Sequence, residues 1–363
     1  MQIIDETWVR PLYYGSLLTS CGGGEQLEIL IQLLTDRLRE SKVPLLDINE
    51  LEKGHEYATV GIMGSMMEAH NSTGNEGIRV LERFADENQC RIDGLFTIEA
   101  ASINVLYPLL LASIRKTPLI DGDCMARAFP EFQMTTAQSA GIQMTPLSLM
   151  TPKGDYFTFD DLDNLLFEVK SREIVSEEAG VAYFAGFKAI EETLKKCLIP
   201  GTITFLYRIG CCFLNTKSYG ELLEKMMDVS KNSQYGSIVE LFIGTVKDRP
   251  VRTENHWQEM SIEGVGNYKN SRFSILVQNE YLIGLRDKNV AAMVPDLICL
   301  IDINTLRIIS QHEINRGMKV AVLSIPAPVR LKSQSMLDLI GPKCFGYNNE
   351  YIPLERLYES YYF

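Results

Sequence analysis

The sequence predicts an α/β protein: a three-layer body built on a parallel sheet, joined to a smaller, all-β, barrel-like module. Three observations carry that prediction. Between residues 57 and 120, three short apolar runs alternate with two helical patterns, the rhythm of a parallel sheet covered on both faces. After Gly236 the pattern changes to short strands parted by turn residues, which suits a small barrel. With 363 residues, 46% apolar and 23% charged, the chain is long enough for two cores. The expected division is 1–234 for the α/β body, with 330–363 packing back on it, and 235–329 for the β module.

Asp5 is placed to cap a helix over 6–19, with Trp8, Leu12 and Leu17 or Leu18 facing inward. Gly22-Gly23-Gly24 then stand at the mouth of a second helix over 25–40, whose apolar stripe is Leu27, Leu30, Ile31 and Leu34. A buried strand over 57–63 ends at Gly64-Ser65, and a helix over 73–89 turns Ile78, Leu81 and Phe84 or Ala85 inward. The next strand, 94–98, ends at Glu99; Ser102 caps a helix reaching Lys116; a third strand, 118–120, ends at Asp121-Gly122-Asp123. Val181, Phe184, Phe187 and Ile190 or Leu194 predict a helix over 172–196, followed by a strand over 202–213 and a helix over 219–230. Strands of the β module are expected at 238–246, 257–263, 272–278, 297–301 and 320–325, with a helix over 333–339.

Composition narrows the function classes. There are 35 basic and 47 acidic residues, a formal charge of −12, and no Lys/Arg block, so the electrostatic footprint of a nucleic-acid binder is missing. The longest apolar stretch, 105–114, contains Pro108 and is roughly half a membrane span. No basic region followed by an apolar core opens the chain, which leads to the expectation of a cytoplasmic protein with reduced thiols. The eight cysteines show no Cys-x-x-Cys spacing, and six are expected in the core, with Cys21 and Cys124 set apart for their position. Four histidines, none close to another, argue against a His-rich zinc site. No cofactor is expected; a divalent cation held by Asp121 and Asp123 is the alternative left open. A homo-oligomer is expected as well, with no interface named.

Ligands of open α/β sheets bind beyond the carboxyl ends of the strands. Those ends are Gly64-Ser65, Glu99, and Asp121 with Asp123, and Asn104 follows in the first turn of the next helix. Carboxylates gathered there raise one another's pKa, so that one serves as general acid and another as base near neutral pH. The alternative reading makes each an ordinary helix cap. Gly22, Gly23 and Gly24 would offer amides to an anion or a carbonyl oxygen, or would form a tight turn that needs positive φ. Arg127 would clamp Asp123 or meet a ligand carboxylate. Cys124 is a poor nucleophile, because neighbouring carboxylates disfavour its thiolate. Asn279 and Glu280 are turn residues that would reach a ligand only if the β module folds over the sheet edge.

The strings that carry a resemblance are Ser20-Cys21-Gly22-Gly23-Gly24, Glu99-Ala100-Ala101-Ser102-Ile103-Asn104 and Asp121-Gly122-Asp123-Cys124-Met125-Ala126-Arg127-Ala128-Phe129-Pro130-Glu131. Further along come Asn279-Glu280, Pro295-Asp296-Leu297-Ile298, Pro326-Ala327-Pro328 and Gly341-Pro342-Lys343-Cys344-Phe345-Gly346-Tyr347. Together, over about residues 10–355, they resemble the S-methyl-thiohydantoin desulfurase-like family, whose members accompany hydantoinase/oxoprolinase-type proteins. The resemblance implies an α/β domain paired with a β-barrel-like one. It also implies hydrolysis of a small cyclic amide: water adds at the amidine-like ring carbon that bears the S-methyl group, methanethiol leaves and a hydantoin remains. A hydantoinase/oxoprolinase-type partner is implied too, and a non-catalytic subunit of such a system is the competing expectation. In that frame Asp121 or Asp123 would be the base and Glu99 the acid or ring N–H acceptor. Asn104 would anchor the ring, and Arg127 and Glu131 would support it. The family has glycine where this chain has Ala100, Ala101, Cys124 and Ala126, and a longer glycine run where Thr19 to Cys21 stand, so each adds a Cβ beside the expected site.

Overall fold

A computed structural model describes residues 1–24, 26–64, 73–178, 180–252 and 257–362. Glu25, Ser65, His70 and His256, which figured in the expectations above, lie outside the described residues. The chain forms two compact units: Met1–Tyr13, Glu25–Ala126 and Glu131–Thr204 make the first, and Tyr14–Gly24, Arg127–Pro130 and Phe205–Phe363 the second. The chain therefore leaves the α/β unit at Thr204 rather than near residue 234. The segment 330–363, expected on the α/β body, joins the second unit instead.

The first unit contains an eight-stranded sheet in the order β1 (Gln2–Ile4), β2 (Val43–Leu46), β5 (Leu119–Ile120), β4 (Gly94–Phe96), β3 (Tyr57–Gly64), β9 (Val181–Ala189), β7 (Leu147–Met150), β8 (Tyr156–Phe159). Only β2, β5, β4 and β3 run parallel; β1 and the β9–β7–β8 wing are antiparallel, so the sheet is mixed rather than parallel throughout. A small ribbon pairs β6 (Gly122–Asp123) with β10 (Ile199–Pro200). Helix α2 (Glu28–Glu40) packs on α4 (Ile103–Arg115), which lies along β3 and β4, while α3 (Asn75–Glu87) lies on β9 and β7. Helix α3 buries Val80, Leu81 and Phe84 and leaves Glu82 and Arg83 to solvent, the one-sided pattern that made it legible.

Two expected elements change type. The stretch 172–196 holds the end of a helix (Asn164–Glu178), then strand β9, then a short helix (Glu191–Cys197). Val181, Phe184 and Phe187 do recur every third residue. Nearly every side chain of β9 is buried, however, as a strand covered on both faces requires, and periodicity alone cannot separate that from a buried helix. Conversely, 202–213 is helical (Thr202–Leu214) rather than a strand. Strands β1, β2, β7, β8, β14 (Glu280–Arg286) and β15 (Asn289–Met293) went unread, as did the two-residue strands β6, β10 and Arg307–Ile308.

The second unit is organised around an antiparallel eight-stranded sheet. Its order is β15, β14, β13 (Arg272–Gln278), β12 (Gln258–Gly264), β11 (Val239–Arg252), β18 (Lys319–Ile325), β16 (Leu297–Asp302), β17 (Arg307–Ile308). Phe242, Ile262, Phe273, Ile275, Ile298 and Val322 form its core. Each fully buried side chain of that size contributes about 1.5–3 kcal/mol relative to exposure. Register shifts at three points of the long strand β11 bend the sheet. The sheet is nevertheless open and not a closed barrel. Among the described residues the end strands β15 and β17 pair only inward, and β17 offers just Arg307 and Ile308, both engaged by β16. No helix among the described residues is long and apolar enough to cross a membrane.

Candidate functional site

The parallel core of the first unit delivers its strand ends to one turn. After β4 the chain crosses from Thr97 to Ser102 and enters α4. Pro108 inside that helix has no N–H for the carbonyl four residues earlier, that of Asn104. The Thr97 hydroxyl takes the vacancy, lying 2.6 Å from the Asn104 carbonyl and 2.9 Å from that of Glu99, and it accepts the Glu99 amide at 3.2 Å. One threonine thus ties the strand end to the first turn of the helix and orients the residue between them. Glu99 itself is half-buried. Asn104, expected to anchor a ligand ring, uses its side-chain oxygen to accept the Ile62 amide of β3 at 3.0 Å. That contact joins the first turn of α4 to β3 and engages the oxygen within the fold.

Asp123 is fully buried. Its Oδ2 accepts the amides of Ala100 at 2.9 Å, Ala126 at 2.8 Å and Met125 at 3.3 Å, so it locks the Glu99 turn to the loop that follows β6. Burial pushes its carboxyl up to about 6, against the lowering effect of those amides and of the Thr202 hydroxyl. Neither Oδ1 nor the Thr202 hydroxyl completes a hydrogen bond of normal geometry. Asp121 is nearly buried and caps the helix Thr202–Leu214. It accepts the Thr204 amide at 3.0 Å and the Thr204 hydroxyl at 2.5 Å. Burial raises its pKa and Thr204 opposes the rise. Both aspartates hold backbone in place, and both side chains are buried. The nearby charge of Asp47 adds to the rise at Asp121.

Among the described residues no three His, Cys, Asp or Glu side chains gather as a metal-ligand set. A divalent cation at Asp121 and Asp123 would have to displace the amide and hydroxyl contacts just described. Glu131 accepts from Gln133 Nε2 at 2.5 Å on the exposed side of its turn. The Cys124 thiol is hydrogen-bonded with that of Cys197, which with burial and the nearby Asp123 charge raises its pKa well above the usual value. A buried thiol so placed is no nucleophile. Of the eight cysteines, five are buried: Cys21, Cys124, Cys197, Cys212 and Cys299.

The remaining expected residues belong to the second unit. Gly22 has φ +88°, and a Cβ there would stand 2.5 Å from the Tyr281 ring, so it is glycine because an aromatic ring presses on it. Gly23 donates its amide to the Ser20 carbonyl at 2.8 Å, which leaves it nothing to offer an anion. Gly24 lies against Leu17 and Ser20. The three glycines make a turn and not an anion cradle. Arg127 does not clamp Asp123. Its fully buried guanidinium donates to the carbonyls of Ala128, Asp296 and Tyr281 at 3.1, 3.0 and 3.2 Å, with the Phe129 ring 5.1 Å away. Asn279 forms the left-handed turn between β13 and β14, φ +58°, and Glu280 pairs with Gln278 across it.

Sequence reasoning did not single out Thr97, whose role follows from Pro108, nor Thr202 and Thr204. It read Ser102 only as a helix cap. Ser102 does occupy the N-cap position, yet it makes no capping bond and its hydroxyl has no partner.

Two family models match the chain: S-Me-THD-like, N-terminal domain, over residues 7–161, and S-Me-THD-like, C-terminal domain, over residues 163–354. Among curated proteins none matches. The crystal structure of a protein from Chromobacterium violaceum is similar in fold, with a TM-score of 0.81 at 19% sequence identity, covering 98% of this chain and 100% of that one.

Proposed function

This chain belongs to the S-methyl-thiohydantoin desulfurase-like family, and from that premise we propose that it is a hydrolase of a small S-methyl-thiohydantoin- or hydantoin-type cyclic amide. The observation that carries the reading is the half-buried Glu99 at the end of a parallel strand, in a turn that Thr97 and Asp123 hold from both sides. A carboxylate kept in a fixed backbone setting, with part of its surface open, suits proton transfer to a bound ring.

In this reading Glu99 takes a proton from water as the water oxygen bonds to the ring carbon that bears the S-methyl group. The electron pair of the ring C=N moves to nitrogen; as the C–S bond breaks, an oxygen lone pair closes the carbonyl and the hydroxyl proton passes to that nitrogen. Methanethiol leaves with the proton that Glu99 held, and the carbon keeps oxygen as a carbonyl. The sum is ring plus water giving hydantoin plus methanethiol. Asp121 and Asp123 are positioning residues here, since their oxygens are engaged by backbone and hydroxyl groups.

The competing reading, a ligand-binding or partner subunit beside a hydantoinase/oxoprolinase-type enzyme, draws on the engagement of both aspartates by backbone and hydroxyl groups. Incubating the full chain with an S-methyl-thiohydantoin and measuring released thiol separates them. We expect methanethiol from the wild type and a loss of 100-fold or more, on the order of a general acid–base contribution, in Glu99→Gln. Ring binding without thiol release from the wild type would establish the subunit reading.

A further inference from the structure

Ser102 departs twice from what an N-cap serine does. The N-cap position normally places a side-chain oxygen on the amide of the second or third helical residue. Here no such bond exists, although α4 is a 13-residue helix with no acidic residue in its first turn. The partly positive end of the helix is thus left unneutralised by the chain's own side chains, because Asn104 is turned to Ile62. Moreover, the Ser102 hydroxyl is buried with no hydrogen-bond partner, and the residue as a whole is only 7% exposed. A buried hydroxyl without a partner is a cost that alanine would avoid.

The backbone adds a second departure. Ser102 has φ 43° and ψ −127°, a conformation that side chains rarely adopt and that glycine adopts freely. Strain of this kind persists only where the surroundings enforce it, and it collects at ligand sites. The location agrees: Ser102 ends the crossing from β4 into α4, at the carboxyl edge of the parallel core, three positions after Glu99.

We propose that Ser102, with the N-terminus of α4, is a ligand-binding element that holds a carbonyl oxygen of a cyclic amide. A hydroxyl beside the positive end of a helix favours an oxygen bearing partial negative charge. The edge of a five-membered cyclic amide carries a C=O beside an N–H. Ser102 supplies the donor for the first, and the Glu99 carboxylate on the same turn supplies the acceptor for the second. This assignment rests on the cyclic-amide reading above and adds to it the residue that fixes the orientation of the ring.

The test uses the full chain, hydantoin as the probe, and the variants Ser102→Ala and Ser102→Gly. Alanine keeps the backbone conformation and deletes the hydroxyl; glycine also relieves the strain. Calorimetric titration should show hydantoin bound by the wild type and at least about tenfold more weakly by both variants. Without ligand, the thermal midpoint of neither variant should fall below that of the wild type, whereas a serine that supports the fold would lower it. Equal hydantoin affinity in all three proteins would overturn the role of Ser102 and leave the cyclic-amide reading standing, and so would a clear drop in midpoint for Ser102→Ala. A wild type that binds no hydantoin would overturn both.

Discussion

Two buried aspartates, one in each unit, share a pKa of about 6 and differ in everything that surrounds them. Asp296 of the second unit is satisfied on both oxygens. Oδ1 accepts the Ala327 amide at 2.7 Å, Oδ2 the Leu354 amide at 2.9 Å, and the Tyr351 hydroxyl lies 3.0 and 2.9 Å from the two. It gathers the β18 end, the tail and the helix Leu354–Tyr362 around one carboxylate. Asp123 of the first unit carries three amides on Oδ2 and leaves Oδ1 without a bond. Desolvation is the main cause of both shifts, so the shift reports burial. The hydrogen-bond count separates a finished structural node from an unfinished one.

The largest expected effect breaks the finished node. Asp296→Ala strands two amides and the Tyr351 hydroxyl in the interior, at a cost of about 3 kcal/mol or more. Urea denaturation should show the second unit unfolding at much lower denaturant; an unchanged midpoint would remove Asp296 from this role.

Asp123→Asn sharpens the contrast. The side-chain oxygen of asparagine keeps the three amides, and its NH2 gains the Thr202 hydroxyl as acceptor. An aspartate that ionises at 3.8 unfolded and about 6 folded contributes stability that is complete below pH 3.8 and is lost as pH rises through about 6. Full loss amounts to roughly 3 kcal/mol for a shift of that size. Asp296 adds a fall in the same window. Between pH 3.5 and 7 the wild type should therefore lose stability relative to Asp123→Asn, which becomes the more stable protein at pH 7. Parallel curves for the two proteins would show that Asp123 does not titrate as described.

The smallest effect concerns the loop that Asp123 holds. Ala126 sits at φ +57°, and Ala126→Gly should stabilise by about 0.5–1 kcal/mol through relief of that strain. A lower thermal midpoint would mean that the Ala126 methyl packs usefully enough to outweigh it.

Much of this protein was legible one segment at a time. Asp5 does cap the first helical turn, the helix expected over 333–339 forms at Gln334–Ile340, and the amphipathic stripe of 75–87 identifies its helix unaided. The sequence of strand, turn carboxylate and helix from 57 to 123 also stands. Fully apolar runs were another matter. Residues 181–189 are buried nearly all round, and 202–214 carry one charged side chain, Arg208, so in neither does a polar face make the period stand out; their types depend on what each packs against. Glu99, Asp121 and Asp123 do stand at strand ends, and only the structure shows that the two aspartates bond backbone and hydroxyl groups.

The sequence by itself determined the residue types at each strand end, the family, and the change from α/β to antiparallel β. Those depend on local pattern and on motif strings that no distant contact alters. Only the tertiary structure decided which polar groups are engaged. Hydrogen bonds join Asp121 to Thr204, Asp123 to Ala100, Asn104 to Ile62 and Arg127 to Asp296, pairs far apart in the chain. Satisfying a buried donor or acceptor is a requirement of the whole fold. The same requirement, unmet at Ser102, marks the hydroxyl still open to a ligand.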